Sequence, residues 1–450
     1  MKFKPYLKYK ASGVEWLGDV PDEWDVAALK RNYSIIGGST PKSDNEAFWD
    51  GDISWVTPTD LSKMDTFEIK NSIRTITAEG FASCGTTLVP SGSLILSTRA
   101  PIGSLGIATK ELCTNQGCKA LVPRDDTNSR FCAYLLSIAT EALNICGRGT
   151  TFLELSGDAL GAFKATFPLL PVQNVVSDFL DRETAKLDTL IAKQERLIEL
   201  LQEKRQAMIS HAVTKGLDPS VPMRDSGIEW LGMVPEHWKV LHLSRVAIGG
   251  TQNGLYKPPS GHDPSGIPCI SMGEAFSGRI ISLKARDRVI LSEEEFEKYR
   301  LDEGDLLFAR RSLVFEGSGK CSLISAQAAG QVFESSIIRI KLNRDLLLPE
   351  FALLFMASIP GRYQILSITD QTTISGINSQ NLRQCVIPVP SLDDQAQIVD
   401  DIVRYDKTFD ALVSKSRRNT DLMREHRTAL ISAAVTGKID VRGEPSNATH

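Results

Sequence analysis

The sequence has no C-x-x-C pair, no H-E-x-x-H pair and no run of 18 apolar residues. The first absence argues against a structural zinc site and the second against a zinc metalloprotease. The third argues against a membrane-spanning helix, so no membrane partner is expected. The opening MKFKPYLKYK is basic but lacks the apolar stretch of a signal peptide. Eight cysteines stand singly at positions 84, 113, 118, 132, 146, 269, 321 and 385, a scatter that suits reduced, mostly buried thiols in a cytoplasmic protein better than a disulfide framework. A net charge of −4 carries no global sign of nucleic-acid binding, although a basic face can be balanced by acid elsewhere.

Catalytic constellations are equally scarce. The Gly317-Ser318-Gly319-Lys320 stretch resembles the end of a phosphate-binding loop, but the motif's first glycine is missing and Cys321 stands where Ser or Thr is required. A glycine turn between two strands is the better reading. Glu68-Ile69-Lys70 imitates the end of a nuclease site and reads better as a solvated strand edge. An amino-methyltransferase's N-P-P-Y or D-P-P-Y loop is absent, and so is its glycine-rich cofactor loop. The reading is therefore of a non-catalytic chain, with no metal and no cofactor of its own.

What is present is a long helix. From Pro168 to Gly216 the prolines sit at the entrance, where a helix tolerates them, and no glycine or proline follows until Gly216. Apolar residues recur in steps of three and four at Leu187, Ile191, Ile198, Leu201, Met208 and Ala212, with Gln194 and Arg205 interrupting the seam. A rod of about 40 residues spans roughly 60 Å and needs a partner helix. A shift of 222 residues supplies it: Pro168 meets Pro390, Gln173 meets Gln395, Asp188 meets Asp410, Arg205 meets Arg427, and ISHAVT (209–214) meets ISAAVT (431–436). The second rod carries Ile398, Ile402, Phe409, Leu412, Val413, Met423, Leu430 and Ala434. Its polar gap from Ser414 to Asp421 predicts weaker pairing and a frayed middle.

The rest of the chain repeats too. SGVEWLGDVPDEW (12–24) returns as SGIEWLGMVPEHW (226–238) with nine of thirteen residues identical, carrying Trp16, Trp24, Trp230 and Trp238 as hydrophobic anchors. Each anchor precedes about 140 residues of short β-type runs and frequent glycines. Strands are predicted at 53–56, 86–89, 93–97 and 119–122, then at 267–271, 279–283, 305–309, 321–324 and 336–342, with helices over 130–144 and 349–357. Gly37-Gly38-Ser39-Thr40 matches Gly249-Gly250-Thr251-Gln252 at a shift of 212, as GSLILSTR (92–99) matches GDLLFARR (304–311). GTTFLELSGDAL (149–160) matches QTTISGINSQNL (371–382) at 222, so the shift of 212 pairs Arg99 with Arg311 and that of 222 pairs Thr150-Thr151 with Thr372-Thr373.

The expected fold is α+β: a domain over 12–167, a spacer helix over 168–216, a second domain over 226–387, a second spacer helix over 388–438 and a flexible tail over 439–450. The two helices should pair as an antiparallel coiled coil, with Leu187, Ile191, Ile198, Leu201, Met208, Phe409, Leu412, Met423 and Leu430 packing the spacer or docking partner subunits. Cations, amides and hydroxyls on loops are what contact phosphates and base edges. The candidates are Lys42, Arg99, Asn115, Gln116, Lys119 and Arg148 in the first domain, and Gln252, Asn253, Lys257, Arg279, Lys284, Arg310 and Arg311 in the second.

Domain, rod, domain, rod resembles the specificity subunit of type I restriction-modification enzymes over nearly the whole chain. The resemblance is carried by GGSTP (37–41), GDISWVTPTDL (51–61), STRAPIG, TNQGCK (114–119), GDLLFAR (304–310) and the proline-to-glutamine entrances to both rods. It implies a non-catalytic subunit in which two target-recognition domains read the halves of a split, asymmetric site on double-stranded DNA. It also implies two modification (methyltransferase) subunits using S-adenosylmethionine, and motor-nuclease restriction subunits using ATP and Mg. In that family the recognition domains vary too much for any base-contacting residue to be carried over by motif. The alternative is a non-DNA scaffold or binding protein with the same two domains on a helical spacer.

Overall fold

The computed structural model describes residues 3–99, 101–147, 154–256, 265–370 and 375–444. It resolves into two compact units. One comprises residues 1–194 with 418–450, the other residues 195–417. Each unit thus contains one domain and part of both long helices, which run unbroken over Leu170–Lys215 and Leu392–Val435.

The first domain is built on a five-stranded sheet in the order Tyr33–Gly37, Cys118–Pro123, Leu94–Ser97, Leu105–Ala108, Glu68–Ile69. Only the last pairing is parallel. The second domain repeats it as Ala247–Asn253, Ile337–Leu342, Leu306–Ala309, Cys321–Ile324, Ile280–Ile281, again with only the last pairing parallel. A three-stranded sheet accompanies each, centred on Trp49–Val56 and on Ile267–Ile270. The α+β duplication therefore persists in topology where the sequences have diverged.

Two predicted elements change. Residues 86–89 form no strand; only Val89 bridges, to Leu112, because Pro90 follows and cannot extend a ladder. The helix expected over 130–144 splits into Ser129–Ser137 and Thr140–Cys146.

The glycine match is also corrected. Tyr33 pairs with Pro123 and Ala247 with Leu342 at the start of equivalent strands, but the second strand holds a register shift between Ile248 and Thr251. Gly249 and Gly250 fill it with φ of +71° and +80°, a backbone open to glycine. The structural counterpart of Gly38 is therefore Gly254. A Cβ on Gly38 would stand 2.1 Å from the Thr114 carbonyl oxygen, and one on Gly254 2.1 Å from that of Glu334.

Both long helices end on a glycine in the left-handed conformation, Gly216 at φ +79° and Gly437 at φ +72°. The tryptophan anchors close on these ends. In the first unit the buried Trp24 and Pro21 abut Gly437; in the second the buried Trp238 and Pro235 abut Gly216. At the opposite ends, buried glutamines hold the helix to the domain. Gln173 Nε2 donates to the Pro168 and Asp126 carbonyls while its Oε1 accepts from the Asn128 N–H. Gln395 does the same with Pro390, Leu346 and Leu348. Gln173→Leu and Gln395→Leu should each cost about 1–3 kcal/mol through stranded backbone groups. Chemical denaturation monitored by hydrogen exchange of the affected unit would read this, and a near-neutral effect would contradict the bond assignment.

Within each unit the helices run antiparallel. Arg427 donates to Asp188 in the first, at 2.8 Å, and Arg205 to Asp410 in the second, also at 2.8 Å. Arg205 gains a second partner in Asp406 at 2.7 Å. These arginines interrupt the apolar seam because they complete ion pairs across it.

The seam itself departs from expectation in two places. Phe409 and Leu430 are buried, and Leu187, Ile191, Ile198, Leu201, Met208 and Met423 are half-buried, but Leu412 is 45% exposed. The buried line instead continues through Ser416 and Thr420, at 6% and 4% exposure. Small hydroxyl residues keep the three-and-four stepping, so the polar middle of the second helix is continuous and not frayed.

Candidate nucleic-acid interface

The antiparallel register brings three segments of the first domain to one end of its large sheet. The strand Tyr33–Gly37 leaves there into Gly38-Ser39-Thr40, Leu94–Ser97 leaves into Thr98-Arg99, and Cys118–Pro123 begins there after Thr114–Gly117, since Lys119 pairs with Gly37 and Cys118 with Ser97. Backbone bonds tie them: the Ser39 N–H donates to the Thr114 carbonyl, and the Thr98 N–H to that of Gly117. The Thr40 hydroxyl contacts Gln116 Oε1. Asn115 Oδ1 accepts from the Gly117 N–H at 3.0 Å, which leaves its amide NH₂ as a donor. Arg99, Asn115, Gln116 and Lys119 are thus gathered by the topology. Lys42 is exposed on the following loop, its carbonyl held by Trp49 Nε1 at 3.3 Å.

The second domain assembles the same end from Asn253, Arg310 and Arg311, with Asn253 paired to Ile338 and Ala309 to Ile337. Asn253 Oδ1 accepts from Ser379 Oγ at 3.0 Å, and Arg310 Nη1 donates to the Ser335 carbonyl at 3.3 Å.

Three expected residues lie elsewhere. Gln252 is consumed within the domain: its Nε2 donates to the Lys298 carbonyl and its Oε1 accepts from Arg339. Arg279 pairs with Asp406 of the second long helix at 3.2 Å, so it locks a domain to its spacer. Lys284 is exposed but follows the edge strand Ile280–Ile281, whose parallel pairing with Cys321–Ile324 carries it to the opposite sheet end. Arg148 and Lys257 lie outside the described residues, as do Thr150-Thr151 and Thr372-Thr373.

The two sheet ends differ electrostatically at equivalent positions. Arg99 bridges to Glu154 through the backbone, and their side chains form an ion pair at 3.3 Å. Arg311 occupies the same place opposite Gly376, so no carboxylate faces it across the bridge. Sequence reasoning missed the Arg99–Glu154 pair, although the 222-residue shift that aligns Glu154 with Gly376 was available to set the two domains apart there.

Burial pushes the Cys118 and Cys132 thiols up to about 12 and Cys113 to about 11, which makes them poor nucleophiles. All eight cysteines are free. Among the described residues no cluster of three His, Cys, Asp or Glu could hold a metal ion, and no helix is long and apolar enough to cross a membrane.

Comparison with known proteins agrees with this architecture. Residues 21–200 and 235–419 match the family described as type I restriction modification DNA specificity domain. The type I restriction enzyme MjaIX specificity subunit of Methanocaldococcus jannaschii is 32% identical over 205 residues, 45% of this chain and 46% of that protein, so the chain spans about half that relative's length. The EcoKI specificity subunit of Escherichia coli K12 is 23% identical over 343 residues, 73% of this chain and 70% of that one. A solved chain reported under "complex assembly and conformational transition of the type I R-M system" shares the fold with a TM-score of 0.65, at 16% identity over 95% of this chain and 99% of that one. With both domain-and-helix repeats matched, the chain belongs to the type I restriction-modification DNA specificity family.

Proposed function

We propose that this chain is the cytoplasmic, non-catalytic subunit that gives a type I restriction-modification complex its sequence specificity. Each domain reads one half of a split, asymmetric site on double-stranded DNA, and the spacer helices recruit two modification subunits and, through them, restriction subunits. S-adenosylmethionine would be held by the modification subunits, and ATP with Mg by the restriction subunits.

One observation carries this reading above all. The same sheet end, in both domains, gathers cations and amides on loops tied together by backbone bonds, and the two ends are unlike in sequence and charge. Arginine and amide groups on pre-positioned loops suit phosphates and base edges, and two unlike readers suit two unlike half-sites.

The test is single-molecule methylation mapping of DNA from cells expressing the chain with and without its modification subunit. A split, asymmetric motif of methylated adenines that requires both proteins is the expected result. Active, assembled complex that yields no motif would move the reading to a scaffold that does not touch DNA.

The Arg99–Glu154 pair adds a directional prediction. Glu154→Gln removes the carboxylate, so DNA affinity should rise several-fold and log K should fall more steeply with log salt, by about one unit of slope. A salt titration of fluorescence anisotropy reads both, and an unchanged slope would mean that Arg99 stands away from the phosphates.

A further inference from the structure

Beyond the candidate interface, the second domain presents an apolar point that its first-domain counterpart lacks. The strand Leu306–Ala309 runs out through Arg310-Arg311-Ser312 into Leu313 and Val314, which are 89% and 61% exposed. The equivalent turn of the first domain is shorter: the Gly103 N–H donates to the Ser97 carbonyl as the Gly319 N–H does to that of Ala309, and within it Ile102 is only 3% exposed. These two branched aliphatics stand largely in water at a basic sheet end.

The point is held rigid. Arg311-Ser312 pairs with Ser375-Gly376, the Val314 N–H donates to Ser312 Oγ at 3.2 Å, and a single 3₁₀ turn over Phe315–Gly317 closes the far side. Arg362 clamps that turn, its Nη2 donating to the carbonyls of Glu316 and Ser318 at 2.9 Å each. An aliphatic pair fixed in place beforehand loses little conformational freedom on binding. Segment 310–320 carries the cations Arg310, Arg311 and Lys320 against the single carboxylate of Glu316.

We propose that Leu313 and Val314 form a wedge that enters a base step of the half-site read by the second domain, with Arg310 and Arg311 holding the flanking phosphates. This rests on the DNA-reading role proposed above. The occupant is duplex DNA and not a protein because the apolar pair is flanked by guanidinium groups. Apolar side chains beside arginines are what unstack and kink a duplex. Specificity would then include the ease of deforming that step and not only its hydrogen-bond pattern. The first domain, with Ile102 buried, would read its half-site without such a distortion.

The test uses the chain assembled with its modification subunit and a set of duplexes carrying the mapped site, each with 2-aminopurine at one position. The assembled wild-type complex should raise fluorescence at one step of one half-site, separate from the methylated adenine. Leu313→Ser/Val314→Ser, chosen because exposed positions tolerate polar residues, should still bind and assemble. Its signal at that step should fall to within about two-fold of free DNA, while Pro101→Ser leaves it unchanged. Binding without any such step, or an undiminished signal in the double variant, overturns the wedge and leaves the DNA-reading role standing. So does a double variant that loses the modification subunit and not the distortion, since the point would then be a protein contact. Absence of site-specific binding by the wild-type complex overturns both.

Discussion

Trp24→Ala is expected to cost the first unit about 3–5 kcal/mol, the range for removing a large buried aromatic. Trp24 is 1% exposed, and its ring meets Tyr6 edge-on at 5.6 Å and Phe131 at 6.3 Å. It also roofs the glycine that ends the second long helix. Its indole N–H makes no hydrogen bond to described residues, so the loss is one of packing and cavity formation. Against a total of about 5–15 kcal/mol for a domain, that is enough to unfold part of the population. Hydrogen exchange followed by mass spectrometry should show protection lost across residues 1–194 and 418–444, and retained across 195–417. Trp238→Ala, which removes the equivalent ring beside Phe351, should give the reverse map. A uniform loss in either variant would mean that the units unfold as one.

The parts of the architecture that could be read from the sequence are those set by local rules. Helix entrances marked by proline and the paired glutamines recur at a shift of 222 and the exits at Gly216 and Gly437 at 221, and each has a backbone reason to stay where it is. The register of the second domain was harder. The two-residue bulge at Gly249-Gly250 mimics the Gly37-Gly38 loop in composition, while the residue doing the equivalent task, Gly254, sits five and four positions later. Only strand pairing separates them.

Side-chain roles divided in the same way. Arg99 and Arg311 follow strands whose ends the sequence placed, so their location was accessible. The internal contacts of Arg279 and Gln252 could not be foreseen, because their partners, Asp406 and Arg339, lie 127 and 87 residues away and nothing local announces an ion pair or amide contact. Leu412 lies off the buried line for a smaller reason: the seam accepts Ser416 and Thr420, and hydrophobicity alone pointed to the leucine on the neighbouring face. Leu313 and Val314 were invisible because an exposed aliphatic and a core aliphatic look alike in a string of letters.

Arg311→Ala is expected to weaken binding to the mapped site by about 1–3 kcal/mol, roughly five- to 150-fold, and to do so about equally across sequences, as the loss of a phosphate contact should. The reasoning compares two arginines in one structural place. Arg99 carries Glu154 at 3.3 Å, so part of its charge is already answered before DNA arrives. Arg311 faces Gly376, and no ion pair ties it among the described residues, so its charge would reach a duplex uncompensated. Removing it should reduce the slope of log K against log salt by about one, the signature of one released counterion. Arg99→Ala/Glu154→Gln, which removes the pair together and leaves no freed carboxylate to repel phosphate, should reduce the slope by less, because Glu154 already answers part of the Arg99 charge. Anisotropy titrations of a labelled duplex at several salt concentrations distinguish the two variants directly. Equal slopes would mean that Glu154 swings away on binding, and the electrostatic asymmetry between the domains would then belong to the free protein only. A steeper loss for Arg99 would reverse the assignment of the stronger phosphate contact. The half-site preference of each variant, read by methylation mapping, would then show which domain anchors the complex while the other samples its sequence.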